Sequence, residues 1–420
     1  MTPEFKRILN QMRCGDIPNG YQKTILGIAP ESWEKARIDE ICKLSSGSTP
    51  RRDNAKNFSG DILWVTSGEL KNREIVDTAE KVSEQAAIDS HLQMYEPGTV
   101  VIAIYGLEAA GIRGTASIVG KRCTISQACM AFTEFTNVDN SFFYYWYINN
   151  GQKIGLRYAQ GTKQQNLSSD IVGSFPICFP EMEEQVNIAS ILTAQEEMVE
   201  LRENLLFEKQ QQKKYLMQMM LTGKKRFRGF NNDWQLVKAR NIFKNVSDKN
   251  HCGDLEVLSS TQDMGIVPRS QVEIDIKFDE ASLPAYKKVT KGDFVISLRS
   301  FQGGIEHSEY TGIISPAYTV LRNTVPICEG FYRQYFKSSD YIRRLQTGVY
   351  GIRDGKQISY DNFGAISIPY PPLDEQKAIA EMLECADKEI ALLKEELELE
   401  KQKKKALMYL LLTGIVRVCE

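Results

Sequence analysis

Short apolar runs recur along much of the chain, broken by Gly, Pro, Ser and Asn. Ile62–Val65, Val100–Ile104 and Phe294–Leu298 are the clearest of them. Runs of this length between turn residues read as strands. They fill two segments, about 31–180 and about 228–372. The stretches that follow, 181–227 and 373–420, change period. In the second, apolar residues return on a seven-residue period, Ile379 and Leu407 at one seam position and Leu383, Ile390 and Leu397 at the other. The same register in the first gives Ile188, Leu192, Val199, Leu206 and Leu216. Charge interrupts the middle of each seam, at Arg202, Lys209 and Lys213 and at Glu400 and Lys404. A heptad seam of this kind predicts a long helix that pairs with another helix. Each stretch begins just after proline with acids in its first turn, and each ends at Thr-Gly, a natural helix stop. About 40 residues at 1.5 Å each make a rod roughly 60 Å long.

The two helical stretches are also copies of one another. Residues 179–227 align with 370–418 without a gap, at an offset of 191. Identical first-copy positions include Pro180, Glu184, Gln185, Ile188, Ala189, Leu192, Lys213, Lys214, Leu216, Thr222, Gly223 and Arg226. Fainter echoes continue in the strand-rich segments. Trp33 and Trp234 open them, Pro97-Gly98-Thr99 parallels Lys291-Gly292-Asp293 ahead of a strand, and Asn166–Asp170 parallels Gln357–Asp361 ahead of each helix. The order is therefore leader (1–30), domain (31–180), helix (181–227), domain (228–372), helix (373–420). We expect an α+β fold in which two pseudo-twofold-related globular domains are separated by two long antiparallel coiled-coil helices. Thr2–Met12 is expected to be a short helix or a frayed end. A pair of similar surfaces at fixed spacing is the geometry of two-fold DNA readers.

The chain has 420 residues, 42% hydrophobic and 25% charged, with a net charge of -2. That composition is globular and excludes a strongly basic DNA coat, though not local basic patches. Neither strand-rich segment is basic in bulk, so DNA binding by this chain alone should be modest and salt-sensitive. Nine cysteines are spread along it without a CxxC pair, which predicts reduced thiols and neither disulfide framework nor zinc site. Met1–Arg13 lacks the pattern of a signal peptide, and Val100–Tyr105 is far too short to span a bilayer. A cytoplasmic protein without membrane contact is expected.

Several motifs resemble the specificity subunit of type I restriction–modification systems. Ser45-Ser46-Gly47-Ser48-Thr49-Pro50 is similar to that family's Ser-Gly-x-Thr-Pro stretch, and Gly60–Leu70 to its Gly-x-Ile-x-Trp strand and loop. Pro371-Pro372-Leu373 followed by Glu375-Gln376, and the Lys- and Leu-rich run to Thr413-Gly414, resemble its spacer helices. The second domain matches less well, with Asn245–Lys249 where the first has Ser-Gly-Ser-Thr-Pro. The resemblance implies two target recognition domains on a bipartite site in double-stranded DNA. It implies spacer helices that set the gap, and docking of two DNA methyltransferase (modification) subunits that methylate adenine with S-adenosylmethionine. Restriction/translocase subunits would join that core. The specificity subunit itself would hold no cofactor and no catalytic centre.

Arg and Lys grip phosphates and read guanine, while Asn and Gln read adenine. In loop contexts the first domain offers Ser48, Thr49, Arg51, Arg52, Arg113, Lys163, Gln164 and Gln165. The second offers Lys249, Arg269, Arg299, Gln302, Arg353, Lys356 and Gln357. Each alone reads more readily as a solvated surface residue, and only as a set do they point to DNA. Enzymatic patterns fare worse. Ser315-Pro316-Ala317-Tyr318 lacks the amide or carboxylate of an amino-methyltransferase loop and is expected to be a turn. Gly106–Gly114 runs into a strand where a phosphate loop needs a helix. The alternative function is a pseudo-dimeric protein-interaction scaffold without DNA.

Overall fold

A computed structural model describes residues 7–8, 11, 16–25, 27–159, 165–261, 264–272, 280–297, 304–348 and 358–418. The chain packs as two units, residues 1–201 with 397–420, and residues 202–396. No described helix is long and apolar enough to cross a membrane.

In the first unit the strands Lys43–Ser46, Cys129–Thr133, Val100–Ala103, Ala116–Val119 and Glu74–Ile75 make one sheet in that order. Val100–Ala103 is buried along its whole length, which explains its unbroken apolar run. Gly98, at φ +92°, turns the chain into it. A second sheet holds Ile62–Val65 parallel to Cys123–Ile125 and antiparallel to Lys81–Val82. The helix Asn140–Tyr158 buries six successive residues, Phe142 to Tyr147, as a helix does when it is covered on all sides.

The second unit repeats the plan. Phe243–Val246, Thr319–Asn323, Phe294–Ile296 and Ile305–His307 form a sheet in the order of the first four strands above. Gly292, at φ +94°, turns the chain into Phe294–Ile296. Phe243 is the hub of the core, with the rings of Phe294, Tyr332, Phe336 and Phe363 centred 5.3–6.0 Å away. Ser168 and Ser359, 191 positions apart, cap equivalent short helices by accepting from Ile171 N and Asn362 N. In each unit the first strand of the domain pairs antiparallel with the strand that leads into a long helix, Glu34–Arg37 with Pro176–Phe179 and Gln235–Lys238 with Ser367–Tyr370.

The long helices run Met182–Met220 and Leu373–Leu412. Gly223 (φ +70°) and Gly414 (φ +66°) lie just beyond their ends in the left-handed conformation expected of a helix stop. Each unit contains part of both, and within each the pairing is antiparallel. In the first unit Gln195 Nε2 donates to Glu400 (2.7 Å) and Lys404 to Glu196 (2.5 Å). In the second Arg202 meets Glu396, Lys209 meets Glu389 (2.5 Å) and Lys213 meets Asp387. The charges that interrupt the apolar seam are thus matched across it. Seam positions are buried or half-buried, from Ile188 and Leu192 through Val199 and Leu206 to Leu216, and from Ile379 and Leu383 through Ile390 and Leu397 to Leu407. The described cysteines are free thiols, four of them buried, and burial pushes Cys42, Cys123 and Cys129 up to about 12.

Candidate nucleic-acid interface

The Ser-Gly-Ser-Thr-Pro segment is pinned from below. A Cβ on Gly47 would stand 2.2 Å from Ile125 O, so only glycine allows this approach. Ser48 N donates to Ile125 O (3.2 Å), and Ser48 O accepts from Trp64 Nε1 (3.2 Å). Beyond buried Pro50 the loop is closed by side chains. Asn57 Nδ2 donates to Arg51 O (3.0 Å), and Asn54 Oδ1 accepts from Lys56 N (3.2 Å). Arg52 lies over Phe58 and Trp64, 4.6 and 5.1 Å from their centroids, with two hydrogen bonds to Glu80 (2.7 and 2.9 Å). Those bonds hold its guanidinium above its ordinary value. Arg51 and Lys56 are exposed, Ser48 is exposed and Thr49 half-buried. The loop is therefore a pre-ordered platform that presents cations and small polar groups.

Arg113 and Gln165 touch each other. Arg113 Nη2 donates to Gln165 Oε1 (2.5 Å), and Gln165 N donates to Glu108 (2.8 Å), which holds the Glu108 carboxyl below the usual range. This ties the glycine-bearing loop to the segment after the Asn140–Tyr158 helix. A Cβ on Gly114 would stand 2.5 Å from Gln152 N of that helix, so the loop packs against it. Lys163 and Gln164 lie outside the described residues.

In the second unit Lys249 is exposed and Arg269 half-buried, with Arg269 N bonded to Val257 O (2.9 Å). Lys287, missed in the sequence, donates to Tyr318 O (2.6 Å). Burial and the neighbouring Lys249 push its ammonium below its ordinary value. Arg322 makes two bonds to buried Asp293 (2.7 and 2.6 Å). Arg299, Gln302, Arg353, Lys356 and Gln357 lie outside the described residues. Ser315–Tyr318 is a turn closed by Tyr318 N to Ser315 O (3.1 Å) ahead of the strand Thr319–Asn323.

The model of the type I restriction modification DNA specificity domain matches residues 30–208 and 331–401, more than half of the chain. The chain belongs to that family. A type I restriction enzyme specificity subunit of Methanocaldococcus jannaschii, MjaVIII, is 23% identical over 412 residues, 93% of this chain and 94% of that protein. Another from the same organism, MjaIX, is 24% identical over 195 residues, 45% of this chain and 44% of that one. Among solved structures, a type I system S subunit from M. genitalium aligns with TM-score 0.56 and 16% identity over 92% of this chain and 97% of its own. A chain from a structure concerned with complex assembly and conformational transition of the type I R-M system gives 0.55 and 18%, over 92% and 99%. The two-domain α+β architecture is thus that of known S subunits.

This member of the type I specificity family has a second set of residues that loop reasoning passed over. Glu184 and Glu375 read as first-turn acids suited to the helix dipole. Both are buried, and each receives two hydrogen bonds from an arginine beyond the other helix's Thr-Gly, Arg417 (2.8 and 2.7 Å) and Arg226 (2.8 and 2.7 Å). Gln185 and Gln376 beside them donate to Pro180 O and Pro371 O (2.8 Å each) and accept from Asp139 N and Cys328 N (2.8 Å each). The signal was available, because all of these except Asp139 and Cys328 are identical between the two repeats.

Proposed function

We propose that the chain is the DNA-reading part of a type I restriction–modification complex, with each strand-rich domain reading one part of a bipartite site. The two long helices fix the gap and dock the methyltransferase subunits, with restriction/translocase subunits joining that core. In this reading the bases are read from the segments that carry Ser48, Thr49, Arg51 and Lys56, Arg113 and Gln165, and Lys249 and Arg269, and from Lys287 at the start of the strand Lys287–Val289. Arg52 holds its loop in shape. One observation carries the reading, namely that two domains with one strand order are each locked to the same pair of helices by duplicated side chains. Duplicated rigid mounts are what a ruler between two readers requires. Outer faces of the helices support the docking role. Ile191, Met198 and Leu201 stay exposed at helical spacing, an unpartnered stripe suited to helices of a second subunit.

The test is a methylome. The chain is co-expressed with its methyltransferase subunit in a host that lacks adenine methylation, and modified adenines are read by long-read sequencing. A split motif that needs both genes is expected, and shortening both helices by one heptad should change its gap but not its halves. A stable complex that leaves the genome unmodified, or a shortened variant with new half-sites and the old gap, would count against it.

A further inference from the structure

The second unit contains a groove of about 730 Å³ between the end of the first long helix and the helix Ser339–Gly348. Six cations line it, Lys213, Lys214, Lys224, Lys337, Arg343 and Arg344. The single lining carboxylate, Asp340, is engaged by Arg343 (2.7 Å) and Arg344 (2.6 Å). Lys213 is held by Asp387 and Lys337 by Glu306 (3.1 Å), neither of which lines the groove. Lys214 and Lys224 are exposed and stand in no ion pair among the described residues. With Asp387 and Glu306 counted beside Asp340, six positive side chains stand against three carboxylates, still a local excess in a chain of net charge -2.

We propose that this groove holds the sugar–phosphate backbone of double-stranded DNA beside the half-site read by the second domain, an inference that rests on the function proposed above. The lining suits phosphates. Ser339, Gln210 and Gln218 supply neutral polar groups among the cations, the mixture that positions a duplex without reading it. Apolar lining is confined to Met217, Met219 and Ile342, so the groove offers no aromatic anchor of the kind that dominates protein docking sites. The grip belongs to one unit. At the repeat offset of 191, Lys224 becomes Ile415 and Arg343 becomes Gln152, so the first unit has no equal concentration of charge.

The test uses the chain co-purified with its methyltransferase subunit and a fluorescent duplex of arbitrary sequence. Affinity is measured across a salt series for the wild type and for a triple variant, Lys214→Gln, Lys224→Gln and Arg343→Gln. Each cation that meets a phosphate steepens the plot of log affinity against log salt by about 1, so the variant's slope should be shallower by about 3. A control removes equal charge from the second long helix outside the groove, with Lys388→Gln, Lys394→Gln and Lys403→Gln. An unchanged slope in the groove variant, or an equal loss in the control, overturns the proposal. So does a groove variant that keeps its slope but loses the methyltransferase subunit, which would assign the groove to protein. If the wild-type complex binds the duplex and only the groove variant fails to change, the inference alone falls. A wild-type complex without salt-dependent binding removes the proposed function as well.

Discussion

The two places where a long helix ends are built from the same parts and finished differently. In the second unit Gly223 turns the chain under Trp234, Arg226 grips Glu375, and Trp234 Nε1 donates to the same carboxylate (2.9 Å). In the first unit Gly414 turns under Trp33 and Pro30, and Arg417 grips Glu184. There the indole does not follow. Trp33 Nε1 is buried and meets no acceptor among the described residues, and Val418 N donates to Glu184 (3.2 Å) in its stead. The first-unit lock is also wetter, with the Arg417 side chain 41% exposed against 19% for Arg226. The arginine–glutamate pair is therefore the common element, and the indole bond is an addition. Connectivity separates them further. Between Gly223 and Trp234 the chain is continuous, whereas Gly414 and Trp33 belong to opposite ends of the sequence and are joined only by contacts.

The largest expected effect follows from dryness. Glu375 has no exposed side-chain surface, and Glu375→Ala strands both Arg226 and Trp234. Removing one partner of a buried pair costs far more than the pair contributes, and a melting temperature lower by roughly 10 °C is expected. Glu184→Ala should cost about half as much, because Arg417 can turn to water. Thermal melts of both variants, read side by side, decide it. Equal losses would mean that solvent access does not separate the two locks.

The glycines reverse that ranking. Both hold left-handed backbone, which costs a non-glycine residue about 1 kcal/mol. At Gly223 an added Cβ would come 3.2 Å from Trp234, close enough to ask only a small adjustment. At Gly414 it would come 2.4 Å from Pro30 Cγ and 3.0 Å from Trp33. Gly414→Ala should cost about 2–4 kcal/mol and Gly223→Ala about 1 kcal/mol by urea denaturation. Equal costs would show that the antiparallel pair Tyr21–Thr24 and Gly27–Pro30 gives way.

Much of this was legible before the fold. The heptad register named the buried seam, Thr-Gly named the helix ends, and the echo at 97–99 and 291–293 named two glycine turns into strands. What stayed hidden depends on partners remote in sequence. Glu184 and Arg417 are 233 residues apart, and no local pattern distinguishes a buried acid from a first-turn acid. Arg52 reads as a free cation until Glu80 and Trp64 are placed around it. The groove at Lys214 and Lys224 draws its arginines, Arg343 and Arg344, from a stretch remote in sequence, so charge counted along the chain could not assemble it.

The smallest effect tests the indoles themselves and predicts unequal costs. Trp234→Phe keeps most of the ring and removes a hydrogen bond to a carboxylate, which is worth about 1.5–3 kcal/mol. The buried Glu375 keeps its two bonds from Arg226, so a loss near the lower end is expected. Trp33→Phe removes a buried N–H that meets no acceptor. That relieves a desolvated donor while leaving a smaller ring against Phe142, whose centroid is 6.5 Å away. The two changes nearly offset, so Trp33→Phe should fall within about 1 kcal/mol of wild type, on either side of it. Urea midpoints for the two variants give the contrast directly. If Trp33→Phe destabilises as much as Trp234→Phe, the indole of Trp33 has an acceptor in solution and the two locks are chemically alike.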